Sequence, residues 1–78
     1  MKTKFTFDVV LEPQPDGGFT VLVPALPEVV TEGETEDEAM HMAEEAIQLA
    51  VEYRLEQGEA VISEPSPKLR RITVAVAA

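Results

Sequence analysis

The chain contains no cysteine and no tryptophan, and its only histidine is His41. Without cysteine no disulfide can staple it, and nothing in it calls for an oxidising compartment. A lone imidazole leaves both a metal site and a Ser-His-Asp set without a second anchor, so no catalytic, metal or cofactor residues are assigned. Long hydrophobic runs are missing as well. No apolar stretch approaches the roughly 20 residues of a membrane span, and Met1–Val10 has no run of signal-peptide length, so a cytoplasmic protein without membrane attachment is expected.

Positive charge is scarce. Six Lys and Arg stand against fifteen Asp and Glu, for a net charge of −9. Five of the six bases, Lys2, Lys4, Lys68, Arg70 and Arg71, lie at the two ends, and only Arg54 falls between Phe5 and Pro67. An acidic body repels phosphate, which argues against direct nucleic-acid binding, and attracts a basic protein. The plainer reading of the same acids is a surface that keeps a small protein in solution.

At 78 residues the chain is one domain, 1–78. A domain this small buries only about 60% of the surface its unfolded chain exposes, and with disulfides excluded a homodimer or higher homo-oligomer is expected.

Thr35 to Gln57 has the strongest periodicity. At 100° per residue, Ala39, Met40, Met42, Ala43, Ala46, Ile47, Leu49, Ala50, Val51 and Tyr53 fall together, opposite Asp37, Glu38, His41, Glu44, Glu45, Gln48, Glu52 and Glu56. Thr35 with Glu38 reads as a capping box and Gly58 as the stop. Arg54 falls inside the apolar arc, with its stem on apolar surface and its charge in water, and Leu55 falls among polar positions. The arc spans about 200°, wider than the roughly 100° one sheet can cover. The row Ala39, Ala43, Ala46, Ala50 is the expected sheet-facing centre. Met40, Ile47, Val51 and Leu55 form a flank expected to meet a loop, a second subunit or a partner.

Before the helix, residues 4–11 alternate, with Phe5, Phe7, Val9 and Leu11 on one face. The stretch from Glu12 to Gly18 is a turn, with Asp16-Gly17 a signal for positive φ, and residues 19–23 alternate again to complete an antiparallel hairpin. Pro24-Ala-Leu-Pro27 breaks the ladder, and residues 29–34 make a short edge strand. After Gly58, Pro65 and Pro67 mark a loop, and residues 71–77 alternate Ile72, Val74 and Val76 with Arg71, Thr73 and Ala75 as a fourth strand. A strand reached through a helix is normally parallel to its neighbour, here the first. The expected fold is α+β, ordered βββαβ, a small mixed sheet with one long helix on one face.

The run Asp16-Gly17-Gly18-Phe19, then Pro24, Leu26-Pro27, Gly33, Thr35, Glu38-Ala39 and Ala43-Glu-Glu45-Ala46 resembles the HicB-like antitoxins over roughly Phe5 to Pro65. The resemblance implies a partial ribonuclease-H-like fold and a protein that binds and inhibits a small basic HicA-type toxin ribonuclease of a type II toxin-antitoxin system. A stand-alone oligomeric structural or regulatory module is the other reading. Two departures stand out. Where the family usually has Pro-Asp-Leu-Pro-Gly, this chain has Pro24-Ala25-Leu26-Pro27-Glu28, and Glu tolerates a positive φ poorly. Many members also carry a DNA-binding domain beyond the fourth strand, and this sequence resembles the short, stand-alone ones.

The ribonuclease-H outline raises the question of nuclease chemistry, which needs carboxylates from several elements on divalent metals. Asp8 would be the first, but no acid follows Glu64, so the fourth strand supplies none; a non-enzymatic protein is expected, with Asp8 a solvated strand residue. His41 sits on the polar helix face among acids, where a solvated His is the simpler reading. For a basic partner the candidate contacts are Glu32, Glu34, Glu45 and Glu52, with charge speeding encounter and apolar anchors supplying affinity.

Overall fold

The computed structural model describes residues 3–61 and 67–77. Three strands, β1 (Val10–Pro13), β2 (Phe19–Leu22) and β3 (Val30–Gly33), precede one helix, α1 (Glu36–Glu56). The strands form one antiparallel sheet in the order β1-β2-β3. The small α+β fold, three strands and then a long helix, is the one expected.

Register follows from the alternation. Leu11, Val21 and Thr31 lie in one row facing the helix, and Val10, Leu22 and Val30 lie in the next row on the opposite face. A helix laid on the first row buries Val21, Ala39 and Ala43 completely. The alanine row is therefore the contact line. It is held close by Gly33: a Cβ there would run into the backbone N of Ala39 and stand 2.8 Å from its Cα. The helix thus starts against β3, and a second core of Val23, Leu26, Val29 and Val51 closes its other end.

The helix ends are set locally. Thr35 Oγ1 accepts from the Glu38 N–H at 3.0 Å, and Glu36, Asp37 and Glu38 place negative charge on the first turn. At the other end the Gly58 N–H donates to Leu55 O and the Glu59 N–H to Arg54 O, a Schellman pair closed by Gly58 at φ +72°.

The hairpin turn is a four-residue turn, with the Gly17 N–H donating to Gln14 O at 3.0 Å. Pro15 and Asp16 occupy its central positions, and the positive φ values fall on Gly17 and Gly18 rather than on Asp16. Pro24 to Glu28 is more than a break. Leu26 N–H donates to Val23 O and Val29 N–H to Leu26 O, two successive turns that drive Leu26 to zero exposure.

Two parts of the expected sheet change. Residues 3–9 carry no ladder, because β2 ends at Leu22 opposite Val10 and Pro24, just beyond, has no N–H to donate. Phe5, Phe7 and Val9 nevertheless face the core, packed on its Val23–Val51 end. The fourth strand, 71–77, is not paired within the chain: every residue from Pro67 to Ala77 is exposed and without a ladder partner. The described sheet is consequently antiparallel and three-stranded rather than mixed. Alternation fixes which side chains share a face but does not name the neighbour. Pro65, in the loop that leads to this segment, lies outside the described residues.

Candidate functional site

Among the described residues two hollows flank the helix, and most of the residues singled out from the sequence line one or the other. The first lies at the hairpin end and is lined by Gln14, Asp16, Gly17, Gly18, Phe19, Glu32, Gly33, Glu34 and Glu38. Gly18, at φ +85°, makes it possible, since a Cβ there would meet Gly33 O at 2.9 Å. Gln14 ties the turn down, donating to Glu12 O at 3.2 Å and to Thr20 Oγ1 at 3.0 Å. Four carboxylates, Asp16, Glu32, Glu34 and Glu38, share the rim within a hollow of about 750 Å³. Of the acids expected to face a partner, Glu32 and Glu34 meet here. Six residues of the motif, Asp16, Gly17, Gly18, Phe19, Gly33 and Glu38, meet here too, so much of the motif builds this one corner.

The second is an open groove of about 810 Å³ between residues 3–9 and the helix flank. Phe5, Phe7 and Val9 line one wall, and Met40, Ala43, Ile47, Val51 and Leu55 line the other, with Asp37, Glu44 and Glu52 on its rim. All four flank residues expected at an interface, Met40, Ile47, Val51 and Leu55, therefore border one groove. Their exposures differ: Val51 is core at 8%, while Met40 at 40% and Leu55 at 51% are open. Glu52 accepts from Gln48 Nε2 at 3.2 Å. Glu45 is elsewhere, 3.3 Å from His41 Nε2 on the exposed helix face. Of the remaining motif residues, Thr35 caps the helix, and Pro24, Leu26 and Pro27 belong to the double turn at the far end, where Leu26 is core.

Glu28 is the residue that sequence reasoning treated only as a departure. Among the described residues none other than glycine has a positive φ, so Glu28 sits in ordinary backbone. Its carboxylate takes a two-pronged bond from Arg54, Nε to Oε2 at 2.8 Å and Nη2 to Oε1 at 2.7 Å. That bond, helped by Glu28's own backbone N–H, holds the carboxyl below the usual carboxylate range, and the same contact raises Arg54. The one base of the middle of the chain thus pins the double turn to the last helical turn. The signal was present in the sequence as the single Arg inside the apolar arc, whose charge was expected in water and instead meets Glu28.

Chemically, both hollows suit binding. Among the described residues no group of three or more His, Asp or Glu is arranged to hold a metal ion. No helix among them is long and apolar enough to cross a membrane.

Comparison with known proteins agrees with the motif. The family model described as HicB-like antitoxin of bacterial toxin-antitoxin system matches residues 7–74. Antitoxin HicB 1 of Photorhabdus laumondii is 40% identical over 55 residues, covering 70% of this chain and 36% of the relative. Antitoxin HicB of Escherichia coli K12 is 41% identical over 61 residues, covering 78% and 44%. The chain spans less than half the length of either relative.

Proposed function

The chain belongs to the HicB-like antitoxin family, and from that premise we propose that it binds a small basic toxin ribonuclease of the HicA type and holds it inactive, doing no chemistry itself. The supporting observation is the placement of charge. Asp16, Glu32, Glu34 and Glu38 ring one hollow, and the chain carries −9 overall. A basic toxin is drawn to such a rim at long range, and its active-site approach is covered when the surfaces meet. Affinity then comes from apolar contact, for which the exposed Met42, Leu49 and Tyr53 on the helix and the Val10–Leu22–Val30 row on the open sheet face are available.

Growth provides the test. Co-expression with the basic reading frame adjoining its gene is expected to rescue cells that the toxin alone arrests, and the reversal Glu32→Lys with Glu34→Lys is expected to weaken rescue. If growth stays arrested and the two proteins elute separately from a sizing column, the reading fails and the stand-alone module takes its place.

A further inference from the structure

The groove and the unpaired segment 67–77 are complementary in four respects. The first is backbone. β1 pairs only with β2, so its outer edge is open, and residues 3–9 have no ladder partner on either side. An open edge of this kind is a template for another strand. Residues 71–77 likewise have no ladder partner, and their alternation is that of a strand. The second is length: residues 3–9 and 71–77 are both seven-residue stretches, which as paired strands would each span about 23 Å at 3.3 Å per residue. The third is apolar surface. Leu69, Ile72, Val74 and Val76 are 101%, 87%, 74% and 80% exposed, a row of large side chains with nothing against them, while Phe5, Phe7, Met40, Ile47 and Leu55 line an open trough. The fourth is charge. Lys68, Arg70 and Arg71 lead into the segment, and Asp37, Glu44 and Glu52 stand on the groove's rim.

We propose that segment 71–77 of a second copy of this chain occupies the groove as a strand beside residues 3–9, so that two copies complete one another's sheets by reciprocal exchange. Seating Ile72, Val74 and Val76 against Phe5, Phe7 and Ile47 covers both exposed apolar surfaces at once. The added ladder satisfies the open edge, which also removes a site for uncontrolled strand addition. The occupant is a second copy rather than the chain's own segment because that segment stands exposed along its whole described length while its own groove is open. A closed two-fold exchange is the simplest symmetric assembly in which every such segment finds a groove. The exchange is independent of any toxin.

Light scattering on the intact chain is expected to give twice the 8.5 kDa chain mass, and Ile72→Lys with Val74→Lys is expected to return it to the single-chain mass. Should that variant fail to fold, the wild-type chain still decides the matter. In a one-to-one mixture of isotope-labelled and unlabelled chains, filtered NMR is expected to show contacts between the Ile72, Val74 and Val76 methyls of one copy and the Phe5 and Phe7 rings of the other. A monomer, an assembly that the double variant leaves intact, or the same contacts arising only within one chain would each overturn the exchange. Loss of toxin binding in the double variant with the assembly mass unchanged would assign the groove to the toxin instead.

Discussion

Gly33 is where strand and helix come closest. Its missing Cβ leaves the space that Ala39 Cα would crowd at 2.8 Å, so Gly33→Ala forces backbone apart. The expected cost is about 1–3 kcal/mol, read from urea unfolding. Thr31 sits two residues before it on the same strand, with Oγ1 buried and unpartnered. Replacing that hydroxyl by the isosteric methyl of valine removes an unmet desolvation cost, and Thr31→Val is expected to raise stability by about 1 kcal/mol in the same assay. Of these two, the sequence displayed Gly33 as a motif glycine without its reason. Close approach of helix to strand is a property of two elements together, and one residue's identity does not contain it. Thr31 read as an ordinary strand threonine, because alternation assigns a face but says nothing of hydrogen-bond partners.

The helix was legible almost to the residue. Thr35 and Gln57 proved to be the two caps of Glu36–Glu56, since capping chemistry is local and the residues that supply it are adjacent. Its wide apolar arc was legible as well, but the structure divides it differently at the flank: Ala39 and Ala43 are buried and Ala46 and Ala50 half-buried, Met40, Met42, Leu49, Tyr53 and Leu55 stay exposed, while Val51 is core and Ile47 half-buried. The pairing of residues 71–77 was not legible, because strand neighbours are chosen by contacts distant in sequence. What joins elements also responds to pH. The Glu28 carboxyl is lowered from an ordinary value of 4.5 by Arg54. A depressed carboxylate stabilises the fold fully above its unfolded value, and the contribution fades as pH falls through the folded one. The thermal midpoint of the wild type should therefore exceed that of Glu28→Gln at neutral pH by a small margin, as expected of an exposed pair, and the margin should vanish well below pH 4.5. A margin that persists in acid would show that the side chain acts through packing rather than charge.

At the scale of the whole molecule, a three-stranded sheet and one helix leave a great deal of apolar surface open. The Val10–Leu22–Val30 row, the Met42–Leu49–Tyr53 side of the helix and the groove beside residues 3–9 lie on different faces of the fold. In the proposed toxin binding and the proposed exchange alike, such faces of a small acidic domain are assigned to other chains. Charge and apolar surface divide that work. In the proposed function the acids around Asp16, Glu32, Glu34 and Glu38 select a basic partner and speed its arrival, so association with a toxin should slow as salt screens them. The most direct test of inhibition by binding is a titration of this chain into a purified HicA-type toxin with RNA cleavage as the readout. Cleavage is predicted to fall to zero at a fixed stoichiometric ratio, with both proteins recovered in one complex; unchanged cleavage at saturating amounts of the chain would contradict it.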